Sequence, residues 1–97
     1  MYYVYVLHST KDGLLYIGST PDLRKRFYKH QQGLVLSTKN RRPLQLIYYE
    51  AYHLETDALR REEYLKSGAG RKLLAAQQHD IFLKLRYNYS KSAEVAR

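Results

Sequence analysis

One carboxylate stands where a helix calls for an apolar side chain. In residues 58–66 (ALRREEYLK), a helix advancing about 100° per residue puts Leu65 at about 340° and Glu62 at about 40° from Ala58. Glu62 therefore falls on the apolar stripe, whereas Glu63, at about 140°, faces water. A carboxylate taken out of water needs a metal ion, another cation or strong hydrogen-bond donors. A salt bridge to an inward-facing Arg would meet the same need. A second pair lies in residues 22–30 (DLRKRFYKH). With Leu23 at 0°, Phe27 falls at about 40°, His30 at about 340° and Arg26 at about 300°, while Lys25 and Lys29 point away, near about 200° and 240°. Arg26 and His30 are thus i, i+4 neighbours at the apolar stripe. A guanidinium suits a phosphate or carboxylate, and an imidazole suits proton transfer. A structural salt bridge for Arg26 and a satisfied core imidazole for His30 are the plainer alternatives.

The charge distribution narrows the ligand. Seventeen Lys and Arg stand against nine Asp and Glu in 97 residues, a formal net charge of +8. Residues 23–49 contain no acid and seven bases: Arg24, Lys25, Arg26, Lys29, Lys39, Arg41 and Arg42. Such a block can contact the phosphates of a nucleic-acid backbone. Eleven aromatics are Tyr, two are Phe and none is Trp, which fits strand positions and also a wet polar interface. The chain has no Cys, which excludes disulfide scaffolds, thiolate zinc sites and a Cys nucleophile. The apolar run 2–7 is far shorter than the roughly 20 residues that span a bilayer, and no basic region precedes it. A cytoplasmic protein without a membrane partner is expected.

These side chains must be held by a small scaffold. Residues 2–7 (YYVYVL) read as a strand buried on both faces. Residues 9–13 (STKDG), ending in Asp12-Gly13, read as a turn, and 14–19 (LLYIGS) as the returning strand. Thr20 can cap a helix running from Pro21 to about Gln32, closed by Gly33. Residues 34–42 read as a loop and 44–52 (LQLIYYEAY) as a third strand. A helix from Glu55 or Thr56 to Lys66 stops at Ser67-Gly68. Further helices are expected at about 70–77 and 81–87. The predicted architecture is one α+β domain over 1–88, a small three-stranded antiparallel sheet flanked by helices, followed by a polar tail over 89–97.

In order and spacing these residues resemble the GIY-YIG nuclease domain. Its two name-giving strands correspond to Tyr3-Val4-Tyr5 and to the intact Tyr16-Ile17-Gly18, with Tyr3 standing in place of the first Gly. Arg26 and His30 fall at the family's spacing, and Glu62 falls where the family places its metal ligand. Residues 37–44 (STKNRRPL), Tyr48-Tyr49-Glu50 and residues 65–71 (LKSGAGR) are similar to a subgroup of small stand-alone domains. That subgroup resembles the N-terminal nuclease module of the excinuclease. The resemblance covers about residues 2–75. Where many relatives carry an Asn 12 to 15 residues after the Glu, this chain has Leu74, Ala75, Ala76 and Gln77.

The resemblance implies an endonuclease that hydrolyses DNA phosphodiester bonds in repair or recombination, with RNA an alternative substrate. It implies Mg²⁺ or Mn²⁺ on Glu62, Arg26 bracing the scissile phosphate, and one of Tyr5 and Tyr16 as general base. The other Tyr and His30 would position water or relay the proton. Arg24, Lys25, Lys29, Lys39, Arg41 and Arg42 are the expected phosphate contacts. A chain this short leaves specificity to a partner protein or a homodimer. The rival expectation is a nucleic-acid-binding module of the same fold with a weak catalytic apparatus.

Overall fold

The structure, a computed structural model, describes residues 1–86. Strands β1 (Tyr2–Ser9) and β2 (Leu15–Thr20) form the hairpin that the sequence predicts, and β3 (Leu44–Tyr52) pairs with β1 on its other side. The sheet order is β2-β1-β3, antiparallel throughout. The middle strand β1 has both edges paired and helices over both its faces, and Val4 to Ser9 are all buried. That explains a strand without polar alternation.

Register sorts the side chains. Tyr5 pairs with Gly18 and Leu7 with Tyr16, so Tyr3, Tyr5, Leu7, Tyr16 and Gly18 share one face. Val4, Val6, Leu15, Ile17 and Ser19 share the other. A bulge between Val6 and Leu7 leaves Ile47 as the extra residue of β3. It turns Ile47 and Tyr48 to the second face and Leu46 and Tyr49 to the first.

Each face has its own apolar cluster. Helices α2 (Glu55–Lys66), α3 (Gly68–Gln77) and α4 (His79–Lys84) cover the second face, where Val4, Val6, Leu15, Ile17, Ala58, Leu65, Leu74 and Phe82 are buried together. Helix α1 (Leu23–Gln31) lies on the first face, over Tyr5, Leu7 and Leu44, with Leu23 and Phe27 packed against them.

Several boundaries differ from expectation, each for a local reason. Helix α1 starts at Leu23 because Asp22, not Thr20, is its cap: the Asp22 carboxylate accepts from the Lys25 amide at 3.1 Å. Thr20 ends β2, and its hydroxyl accepts from the Asp22 amide. The expected close at Gly33 is a Schellman turn. Gly33 has φ +76°, its N–H donates to His30 O, and the Leu34 N–H donates to Lys29 O. Ser67 both ends α2 and caps α3, accepting from the Gly70 amide, so α3 begins at Gly68 rather than 70. The last helix begins at His79, two residues early. It ends at Lys84, three residues short of the expected Tyr87, because the chain turns at Leu85 and Arg86, the latter with φ +55°. The 88/89 domain boundary and the polar tail lie outside the described residues.

Candidate active site

The first face of the sheet gathers four of the five predicted catalytic residues. Tyr5, 1% exposed on the central strand, shares a 2.8 Å hydrogen bond between its Oη and His30 Nε2. Arg26 Nε donates to the same Oη at 3.5 Å. The other nitrogen of His30, Nδ1, lies 2.7 Å from Thr38 Oγ1, and both residues are fully buried. Tyr16 stands beside them, half-buried, its ring 5.2 Å from that of His30 and 6.3 Å from that of Tyr5. Its hydroxyl accepts from Ser37 Oγ at 3.5 Å.

Local sequence explains the convergence. Tyr5 and Tyr16 face one way through hairpin register. Arg26 and His30 reach the same spot from successive turns of α1. Gly18 makes the space: a Cβ there would lie 2.6 Å from Tyr5 Oη and 3.2 Å from Tyr16 Cε2. The glycine is required by the hydroxyl it faces.

The electrostatics follow from burial. Burial pushes the Tyr5 phenol up to about 12 against the downward pull of the Arg26 hydrogen bond, so Tyr5 is a phenol at neutral pH. Burial first, then the Arg26 charge, holds His30 down to about 4, so the imidazole is neutral. Arg26 is raised above its ordinary value, chiefly by its hydrogen bond to Tyr5. The cluster is a fixed cation beside a neutral phenol–imidazole–hydroxyl chain.

Glu62 approaches from the other face. Ser19 Oγ donates to its Oε1 at 2.5 Å and Lys66 Nζ donates to its Oε2 at 2.7 Å, with 18% of the Glu62 side chain exposed. Ser19 adjoins Gly18 on the edge strand β2, where the two faces of the sheet meet. The Glu62 charge contributes to raising Tyr5. Its cation is therefore a Lys from the next helical turn rather than an inward-facing Arg. The inward-facing Arg is Arg61, which forks onto Glu50 at 2.9 and 3.0 Å. Glu50 also accepts from the hydroxyls of Tyr48 and Tyr52. Glu63 is exposed, as expected.

The predicted phosphate contacts divide. Arg24, Lys25, Lys39 and Arg42 are exposed and Lys29 is partly so. Lys39 and Arg42 line a groove of about 610 Å³ together with Lys11, which lies outside the basic block of the sequence. Arg41 is a different matter. Its Nε is 2.5 Å from Asp12 Oδ2, its side chain is 14% exposed, and it also donates to Leu15 O. It pins the hairpin turn and leaves no fork for a phosphate. Arg42 is partly engaged, donating to the carbonyls of Lys39 and Gln31.

Among the described residues, no three His, Asp or Glu side chains converge to hold a metal ion. A single half-buried carboxylate still fits Mg²⁺, which keeps several waters and takes one or two carboxylates plus substrate phosphate oxygens. Sequence reasoning missed Thr38, Ser19 and Lys66. Thr38 sits in a loop with no periodicity to mark it. Lys66 is at i+4 from Glu62, and that spacing was available as a signal. The window expected to hold an Asn supplies instead a core side chain, Leu74.

Among known proteins, the GIY-YIG catalytic domain family matches residues 1–74. A UPF0213 protein of Limosilactobacillus reuteri is 41% identical over 93 residues, covering 90% of this chain and 95% of its own length. A UPF0213 protein of Staphylococcus saprophyticus is 40% identical over 74 residues, 75% of this chain and 89% of that protein. One from Staphylococcus aureus is 38% identical over the same length. No solved structure matches significantly. No helix among the described residues is long and apolar enough to cross a membrane.

Proposed function

Because the chain belongs to the GIY-YIG catalytic domain family, we propose that it is a divalent-metal-dependent endonuclease hydrolysing DNA phosphodiester bonds, with a role in repair or recombination. The observation that carries this reading is the convergence of Tyr5, Tyr16, Arg26 and His30 on one face, with Glu62 held by Ser19 on the other side of the same edge strand and its charge felt by Tyr5. Packing alone does not require a buried phenol, a neutral imidazole and a guanidinium to share one hydroxyl.

Mg²⁺ or Mn²⁺ held by Glu62 would supply Lewis-acid polarisation of the phosphate. The protein's own groups do the rest. Arg26 braces the scissile phosphate and offsets its developing charge, for which its fork is well shaped. Its Nε–H occupies a lone pair of Tyr5 Oη, which leaves the Tyr5 proton for His30 Nε2. We therefore assign the tautomer in which His30 Nδ1–H donates to Thr38. In that arrangement a phenol of high pKa serves as a base without ionising first: it accepts the proton of the attacking water while passing its own to Nε2. The anionic phosphate held on Arg26 offsets the charge that the imidazole then takes up, and the departing oxygen is protonated from solvent. Thr38 keeps the imidazole in the required tautomer. Tyr16, the more open of the two phenols, positions the water. Arg24, Lys25, Lys29, Lys39 and Arg42 hold the flanking phosphates, while Arg41 acts through the hairpin it pins. Lys66 neutralises Glu62, a countercharge that a divalent metal held there would supply instead.

The deciding experiment is a cleavage assay over branched, single-stranded and duplex DNA, with RNA as a further arm, in Mg²⁺, Mn²⁺ and EDTA. Cleavage should require the metal, vanish in Glu62→Gln with DNA binding retained, and persist in Glu63→Gln. Tyr5→Phe removes the proton relay and should lower the rate by about 10²-fold or more. Metal-independent cleavage, or parental rates in both Tyr5→Phe and Tyr16→Phe, would overturn the mechanism. Binding without any cleavage would leave a nucleic-acid-binding module of the same fold.

A further inference from the structure

Across α1 from the Tyr5 cluster, the same face of the sheet carries a second cleft, of about 410 Å³, lined chiefly by Tyr3, Leu23, Arg24, Phe27, Leu46 and Tyr49. Tyr3 alternates with Tyr5 along β1, two residues and about 6.8 Å away. Tyr49 is directly opposite Tyr5 on β3. The bulge at Ile47 is what brings both Leu46 and Tyr49 to this face. The Tyr3 and Tyr49 rings meet edge to face, centroids 6.1 Å apart, and Tyr49 remains 53% exposed. On the opposite face the hydroxyls of Tyr48 and Tyr52 are tied to Glu50. Those of Tyr3 and Tyr49 have no protein partner among the described residues. Arg24 stands exposed at the mouth. The one acid there, Asp22, has its Oδ1 held by the Lys25 amide.

We propose that this cleft receives an unpaired nucleobase, stacked on Tyr49 against the edge of Tyr3, with the attached phosphate on Arg24. The proposal rests on the reading that this face acts on nucleic acid, and it specifies the substrate class. The base belongs to a nucleotide close to the scissile phosphate, so the preferred substrate carries an unpaired segment at the cut. A flat aromatic wall with hydrogen-bonding hydroxyls suits a base. A cation at the rim of a chain with net charge +8 suits its phosphate. A paired base inside a blunt duplex cannot enter.

The test measures binding alone, in EDTA, by fluorescence anisotropy. The probes are a blunt duplex, the same duplex with a single-stranded tail, and a series in which one abasic nucleotide is moved through the tail. One abasic position should weaken binding by about 5-fold or more, the lower end of a base–aromatic stack. Tyr49→Ala should produce a similar loss on the intact tailed probe, add no loss on that abasic probe, and leave the blunt duplex within about 2-fold. Tyr49→Phe should retain tail binding. If no abasic position matters, or if Tyr49→Ala weakens blunt and tailed probes equally, the base site is wrong while the nuclease reading stands. If neither probe binds, nucleic-acid recognition by this face falls as a whole. Because cleavage is not read, catalytic failure and base-site failure are separable.

Discussion

His30 is fully buried, touches Tyr5 with one nitrogen and Thr38 with the other, and has Arg26 close by. Nothing there welcomes a second positive charge, which is why it stays neutral down to about 4. In the unfolded chain an imidazole takes a proton below about 6.5. Between about 6.5 and about 4 the unfolded state therefore binds a proton that the folded state refuses. The stability from the neutral histidine is complete above about 6.5 and is lost as pH falls toward about 4. The slope is up to about 1.4 kcal/mol per pH unit from this one group. Asp12 and Glu50, held below their ordinary values against the opposing effect of burial, add losses at the acid end. Denaturant melts of the parent and of His30→Gln should separate the contributions: the stability gap between them should narrow as pH drops through this window. A gap independent of pH would mean that the fold leaves the His30 pKa where the unfolded chain has it.

Among the elements, β2 carries the tightest constraint. Gly18→Ala drives a methyl group to 2.6 Å from the Tyr5 hydroxyl, and Tyr5, buried on the central strand, has nowhere to swing. Overpacking of this kind costs about 1–3 kcal/mol. The variant should melt earlier by that amount and lose cleavage more severely than stability, since the displaced hydroxyl is the catalytic one. Parental activity in a folded Gly18→Ala protein would place the chemistry elsewhere. The elements were the most legible level of the sequence. The doubly buried β1, the hairpin and the Gly33 helix stop each rest on a short-range signal: an unbroken apolar run, Asp12-Gly13, and a positive-φ glycine. The facing of Tyr5 with Tyr16 followed from hairpin register, and that of Arg26 with His30 from helical spacing. What escaped depends on contacts across the fold. Thr20, Pro21 and Asp22 are all acceptable at a helix start, and only the Lys25 amide decides among them. The bulge at Ile47 lies in a strand whose adjacent residues are apolar, so no alternation marks the slip. Arg41 is indistinguishable in sequence from Arg42, yet Asp12 claims it.

At the scale of the whole molecule, that distinction changes the expected ionic response. With Arg24, Lys25, Lys29, Lys39 and Arg42 as phosphate contacts, log K for duplex DNA should fall against log salt with a slope of about −4.5. Arg41→Ala should leave the slope unchanged while lowering stability by about 1 kcal/mol or more, whereas Lys39→Ala should make the slope shallower by nearly one. Equal effects on the slope would return Arg41 to the binding surface. The division of the interior into two unequal clusters has a further consequence. Eight buried side chains fasten α2, α3 and α4 to the sheet, but only three lie beneath α1, whose one buried residue is His30. Helix α1 is held by the partly buried Leu23 and Phe27 together with the polar bonds of Arg26 and His30, and an element with so small a buried apolar contact can detach while the rest of the domain stays folded. Amide hydrogen exchange should show this directly. The α1 amides should exchange through partial openings at a free energy well below that of global unfolding, while those of β1 exchange only when the whole chain unfolds. The excursion that frees α1 also uncovers Tyr5. The protein would thus hold a small standing population in which Tyr5 is open to a large polymer and Arg26 and His30 return with α1 to close over it, without ever losing the sheet that defines it.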